Sequence, residues 1–217
     1  IAVADTTLPQ ISYDTVRARA LLDSAGWIVG PDGVRSKNGR RLAFALSSPN
    51  SSASRHQYAI LLQAAMRKVG ADVTLEETDF ATFVSKQTTH AFDTEISLFA
   101  TDPSVSGFKQ SWSTAGISAD GANFGAYSNP VVDALLDSAT ATFDPARTRS
   151  YARRAFETII DDAPAIWLYQ PPTIAGIARR IHTTAMRADG YWSGIADWWI
   201  PADQRTARDN IGLRPTQ

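Results

Sequence analysis

Two helix starts of one kind, Asn129-Pro130 and Asp144-Pro145, constrain this chain more than anything else in it. In each, a side chain able to cap free backbone N–H groups stands directly before a proline. The ring fixes φ at a helical value, and its missing N–H costs nothing at the first helical position. After the first start, Val132, Leu135, Leu136, Ala139 and Phe143 recur at helical spacing; after the second, Thr148, Tyr151, Ala152, Ala155 and Ile159 do. Each pattern predicts a helix with one face turned inward. Asn123 to Tyr127 precedes them as a loop carrying aromatics, and Ala165 to Tyr169 follows as a buried strand. No catalytic motif lies in this stretch, so it reads as a scaffold that holds a loop.

The chain before it alternates. Asp14 is placed to cap a helix with Ala18, Leu21, Leu22 and Ala25 on its apolar face and Gly26 just past its end. Turn signals at 30–33 and at Asn38-Gly39 predict a small hairpin over 27–41. Leu42 to Leu46 reads as a strand and Ser47 to Ser54 as a loop. Tyr58, Leu61, Leu62, Ala65 and Val69 read as a helix closed by Gly70. Ala71, Val73 and Leu75 alternate with polar residues as a strand with one solvated face. Asp79 caps a short helix from Phe80 to Gln87, and Thr94 to Phe99 is another strand. Residues 100–128 form a Gly-, Ser-, Thr- and Ala-rich loop, a length that inside a compact domain marks function or disorder. Trp27 and Trp167 are expected in the core. Alternating helices and strands argue for an α/β or α+β sandwich around a sheet.

Several function classes are excluded. Net charge is −1 with no basic stripe, which leaves no phosphate-binding surface for nucleic acid. Cysteine is absent, which removes thiolate zinc sites, Cys nucleophiles and disulfides. No apolar run is long enough to cross a bilayer. The chain starts at Ile1 without a signal peptide, which suggests a processed chain or an excised piece and does not argue for the cytosol. His56, His90 and His182 are far apart, with no partner at i+4. Asp161 and Asp162 read as a solvated loop at a sheet edge. No Walker loop or dinucleotide turn is present, and no cofactor is expected.

Two features keep a functional reading open. Ser106-Gly-Phe-Lys109 matches the S-x-x-K pattern of serine acyl transfer, without its companion motifs. Trp112, with Phe108, Phe124 and Tyr127 nearby, either walls a ligand site or pins the loop to the domain. Trp192, Trp198 and Trp199 make the tail too aromatic to leave in water, so it is expected to pack against something, for example a part of the protein outside this sequence.

Four segments together carry a family resemblance. Ala18 to Trp27 resembles a helix ending in Ala-Gly-Trp, and Leu61 to Val73 a leucine-rich helix, Gly and valine strand. Asn123 to Asp133 and Asp161 to Tyr169 resemble two late motifs. As a set spanning about 13–170 they are similar to the C-terminal lobe of the family 5 extracellular solute-binding proteins, the dipeptide-, oligopeptide- and nickel-binding components of bacterial ABC importers. The resemblance implies an α/β chain, one lobe of a periplasmic-binding-protein-like type II fold with a mixed sheet flanked by helices. Residues 1–186 would be the C-terminal ligand-binding lobe, with 1–12 as interlobe entry, and 187–217 a tail returning to the N-terminal lobe.

It also implies hinge closure of two lobes on a short peptide or similar small solute, without catalysis or a metal. The partners implied are the N-terminal lobe and an ABC permease. The protein would be exported, as a periplasmic or cell-surface lipoprotein, and would meet the membrane only through a lipid anchor outside this chain. The family's Trp-x-x-Asp, whose Asp pairs with a ligand's α-amino group, falls on Phe99 to Asp102, with Phe in place of Trp. Asp102-Pro103 also matches the family's structural Asp-Pro. The expected wall residues are Phe99, Thr101, Asp102, Trp112, Asn123 and Phe124, with Asn50 and Ser51. Two other classes remain, a serine acyl-transfer enzyme using Ser106 and Lys109 and an interaction module recognised through the aromatic tail.

Overall fold

A computed structural model of the chain describes residues 7–98, 104–118, 120–169, 174–184, 190, 192 and 194–210. The chain divides into two units, Ile1–Ala165 and Ile166–Gln217.

The first unit begins with α1, Thr15–Ser24, capped by Asp14, whose Oδ1 accepts from the N–H groups of Val16 and Arg17 at 2.9 Å. Gly26 then turns the chain at φ 83°, as its position past the helix end predicts. The predicted hairpin is a three-stranded antiparallel meander instead: β1 Ile28–Val29, β2 Arg35–Lys37 and β3 Arg40–Arg41. Each of the two turn signals makes its own reversal, so two turns give three strands. Arg35, 3% exposed, fastens this region: it donates to Asp23 Oδ1 (2.5 Å), Trp27 O (2.6 Å) and Val69 O (2.8 Å). The apolar face of α1 is not in a core, since no residue of α1 is buried, and Trp27 is only half-buried.

A second sheet has the order β5-β4-β6, with β4 Ala43–Pro49 at its centre and β5 Asp72–Thr78 and β6 Thr94–Glu95 parallel to it on either side. Parallel neighbours need crossover connections. These are α2, Ala53–Arg67, and α3, Phe80–Thr88. One crossover moves outward from β4 and the next back past it, so right-handed connections put α2 and α3 on opposite faces. Leu46, Ala59, Ala71, Val73 and Ile96 form the core under α2; of the two leucines expected inward, Leu62 packs on this core and Leu61 is exposed. The predicted Ser47 loop is strand: Ser47 pairs with both Glu76 and Glu95. Central pairing overrides the turn preference of Ser, and Pro49 sits at the last strand position, where its missing donor matters least. β6 is shorter than the predicted Thr94–Phe99 strand; Phe99 itself lies outside the described residues.

The predicted loop over 100–128 contains a helix, α4, Val105–Trp112, capped by Ser104, and a 3₁₀ turn, Thr114–Ile117. Gly107 and the serines hid it, although Phe108, Ser111 and Trp112 already sit at helical spacing. Both cap-and-proline starts hold: α5 is Pro130–Ala141 and α6 Pro145–Asp162. Phe108, Val132, Leu135, Leu136, Ala152, Ala155 and Ile159 form a second core, with Phe108 stacked on Phe156 at 3.9 Å. Phe143 is 103% exposed, because α5 stops before it and helical periodicity no longer applies. The predicted strand over Ala165–Tyr169 is absent and Trp167 is 48% exposed. A strand exists only where a ladder receives it, and the ladders of both sheets lie within 28–95. No helix among the described residues is long and apolar enough to cross a membrane.

In the second unit, a bridge joins His182 to Trp199, whose rings stack at 4.3 Å. Arg180 forms an ion pair with Asp209. Short 3₁₀ turns at Ile195–Asp197, Ala202–Gln204 and Ala207–Asn210 complete what is described.

Candidate functional site

In an open parallel sheet, ligands bind outside the carboxyl ends of the strands, where successive helices leave to opposite faces. Here that place lies between the ends of β4 and β5. The N–H of Asn50 donates to Thr78 O at 2.8 Å and closes the floor. Asn50 and Ser51 are exposed beside it. On the β5 side Asp79 accepts from the N–H groups of Ala81 and Thr82 at 3.0 Å and from the Thr82 hydroxyl at 2.6 Å. The Thr82 bonds hold its carboxyl below the usual range. On the β4 side Ser52 caps α2, whose first turn carries His56, bonded to Glu77 at 2.7 Å. The hydroxyls of Ser48 and Thr78 are buried at this edge without a hydrogen-bond partner.

The sheet face opposite α2 carries a polar layer. Ser47 donates to Glu76 at 2.8 Å, and Lys86 of α3 pairs with the same carboxylate. Gln87 bridges Glu95 (2.7 Å) and Ser97 (2.9 Å). Burial pushes the Glu95 carboxyl up, against the lowering effects of the Gln87 bond and of the Arg55 charge.

The expected site residues fall into separate groups. Asn50 and Ser51 stand at the carboxyl edge. Phe99, Thr101 and Asp102 lie outside the described residues. Trp112 ends α4, Asn123 and Phe124 belong to the loop between α4 and α5, and that loop is pinned. Asn123 is 3% exposed; its Nδ2 donates to Ser113 O (2.9 Å) and Tyr127 O (2.7 Å), and its Oδ1 accepts from Tyr127 N–H (3.0 Å). The carboxamide is fully used inside the loop. Trp112 packs edge-on against Tyr127 at 6.2 Å and joins the second core. Gly116 is required, since a Cβ there would meet Gln110 O at 2.1 Å.

Phe124 is half-buried, and its carbonyl accepts from His90 Nδ1 at 2.9 Å. α3 runs back from the carboxyl edge, where Asp79 caps it, toward the amino end of the sheet. At about 1.5 Å per residue the His90 end is about 13 Å away. Phe124 therefore lies toward the opposite end from Asn50 and Ser51.

Two residues had no sequence signal as a pair. Tyr127 donates its hydroxyl to Asp162 Oδ2 at 2.6 Å, and Asn129 Nδ2 donates to the same oxygen at 2.7 Å. Asp162, the last residue of α6, thus joins that helix to the loop and to the cap of α5, and is not the solvated loop its doublet suggests. The Tyr127 bond, then the Asn129 bond, hold its carboxyl below the usual range, while burial and this carboxylate push the Tyr127 phenol up. The S-x-x-K pair does not assemble an acyl-transfer site: Ser106 is exposed in the first turn of α4, and Lys109 pairs with Asp137 of α5 at 2.6 Å. Among the described residues no three His, Asp or Glu side chains gather as a metal site.

Known proteins share this architecture. The oligopeptide-binding protein AppA of Bacillus subtilis, solved with a nonapeptide, superposes with a TM-score of 0.74 at 20% identity, over 90% of this chain and 39% of that one. By sequence the same Bacillus protein is 22% identical over 199 residues, 90% of this chain and 36% of its own length. The nickel-binding periplasmic protein of Escherichia coli is 40% identical over 77 residues, 35% of this chain and 14% of its own. The chain thus spans about two fifths or less of these relatives. The likeness to the Bacillus structure fixes the fold as periplasmic-binding-protein-like, type II. The profile of the bacterial extracellular solute-binding proteins, family 5 (middle region), matches residues 2–119, more than half of the sequence, and the chain belongs to that family.

Proposed function

We propose that this chain is the C-terminal ligand-binding lobe of the substrate-binding component of an ABC importer, which closes with an N-terminal lobe on a short peptide or similar small solute. The observation that carries this is the open carboxyl edge of the parallel pair β4 and β5, the end at which such sheets take ligands, in a chain of a solute-binding family. In this reading Asp102, which follows β6 in sequence, meets the ammonium group of the ligand. A carboxylate leaving water on closure needs such a partner. Phe99 and Thr101 flank it, and Asn50 and Ser51 supply polar contacts from the β4 end. Trp112, Asn123 and Phe124 act through the shape of the loop that backs the lobe. Residues 187–217 return to the N-terminal lobe. The protein is exported, held at the periplasmic or cell surface by a lipid anchor outside this chain, and delivers to a permease without catalysis.

Among the relatives, one was solved with a nonapeptide and another is named for nickel, so the ligand class must be tested directly. Mass spectrometry of solute released from the denatured full-length protein is expected to find a short peptide. Asp102→Asn is expected to weaken trialanine binding about tenfold or more, the scale of a charge-assisted bond. Release of a metal chelate or a glycan overturns the peptide reading, and unchanged affinity in the variant overturns the role given to Asp102.

A further inference from the structure

The first unit has two cores, one under α2 and one between α4, α5 and α6, and His90, exposed just past α3, reaches from the sheet half to the loop between α4 and α5. It follows α3 with φ 54°, in the left-handed region that non-glycine residues seldom occupy. That backbone turns its ring out of the sheet half and onto the loop between α4 and α5. Nδ1 lies 2.9 Å from Phe124 O and Nε2 3.3 Å from Ile117 O. Both partners are carbonyls, which only accept, so the ring is the donor. A neutral ring has one N–H, and the shorter contact, to Phe124, is the one that matters here.

The rest of the loop is fastened from the other side. Asn123 braces the loop internally through Ser113 and Tyr127, and Thr114 ties it to Asp133 of α5. The loop is thus a rigid plug belonging to the helical half, and His90 reaches it from the sheet half. We propose that His90 is a positioning residue, a latch that makes the two cores move as one body. For ligand binding, which rests on the function proposed above, the latch matters because hinge closure transmits binding energy only through a lobe that moves rigidly.

Hydrogen exchange on this chain tests the latch. His90→Gly keeps the backbone conformation and deletes the donor. His90→Asn also tolerates positive φ and places Nδ2 near the position of Nδ1. The amides of Gly121, Asn123 and Ala126, bonded within the loop, and of Ala122, bonded to Gln110 O of α4, are the readout. His90→Gly is expected to speed their exchange about fivefold, what one net hydrogen bond supports, with the amides of Leu135 and Leu136 unchanged. His90→Asn should return the loop to within about twofold of wild type.

Unchanged loop exchange in His90→Gly overturns the latch. So does equal acceleration in α5, which would mean general destabilisation, or an Asn variant as fast as the Gly variant. Trialanine titration of the full-length protein tests the role in binding separately. Weaker binding in His90→Gly, restored in His90→Asn, supports that role. A loosened loop with unchanged affinity overturns it, and no trialanine binding by wild type overturns the ligand reading while exchange still decides the latch.

Discussion

A carboxamide with every donor and acceptor engaged behaves as a joint, and Asn123 is such a joint. Asn123→Ala strands the backbone groups of Ser113 and Tyr127 beneath the loop, and unmade bonds of this kind cost about 1–3 kcal/mol. Urea unfolding should show that loss as a lower midpoint with an unchanged slope; a loss under about 0.5 kcal/mol would mean water replaces the amide. Glu95 makes the opposite case. Its folded carboxyl is raised by burial, so the ionised form is disfavoured in the fold. The stability associated with this group is therefore fully present below the unfolded carboxylate value and lost as pH rises through the folded one. Glu95→Gln keeps an acceptor for Gln87 and should raise the melting temperature at pH 7, with the gain shrinking toward pH 4. If the variant is less stable at pH 7, attraction from Arg55 outweighs the desolvation.

Elements were legible in this sequence where the signal is local. Asp14, Asp79, Asn129 and Asp144 each cap the helix their spacing predicts, because a cap is decided within three residues. Asp144 accepts from the N–H groups of Ala146 and Arg147, and Asp144→Ala should cost about 1 kcal/mol in thermal or urea unfolding, while Asp144→Asn or Asp144→Ser should recover most of it. A full loss in the Asn variant would point to charge rather than capping. Signals that depend on distant partners failed. Ser47 to Pro49 is strand only because β5 and β6 flank it, and Ala165 to Tyr169 is not strand although its residues favour one. The same limit applies to the site. Asn123 and Phe124 share a loop with aromatics, which sequence alone reads equally as wall or pin. The bonds to Tyr127, Ser113 and His90 hold that loop in place, while Asn50 and Ser51 stand at the carboxyl edge.

At the scale of the molecule, the proposed function makes this chain one face of a cleft. The carboxyl ends of β4 and β5 are an open edge, with exposed Asn50 and Ser51 and a floor closed by backbone bonding. Such an edge can orient a ligand but cannot enclose it. Small-solute sites bury about 70–90% of the ligand surface, and a single edge covers one side. Burial on both sides supplies most of the apolar term, while the cost of immobilising the ligand is the same with one wall or two. The favourable part therefore falls much faster than the unfavourable part when a wall is removed. Under the proposed function, calorimetry of this chain with trialanine should detect no binding tighter than the millimolar range, whereas the full-length protein binds measurably under the same conditions. Micromolar affinity for this chain alone would show a site complete within these residues and would overturn the two-lobe reading, whatever the family.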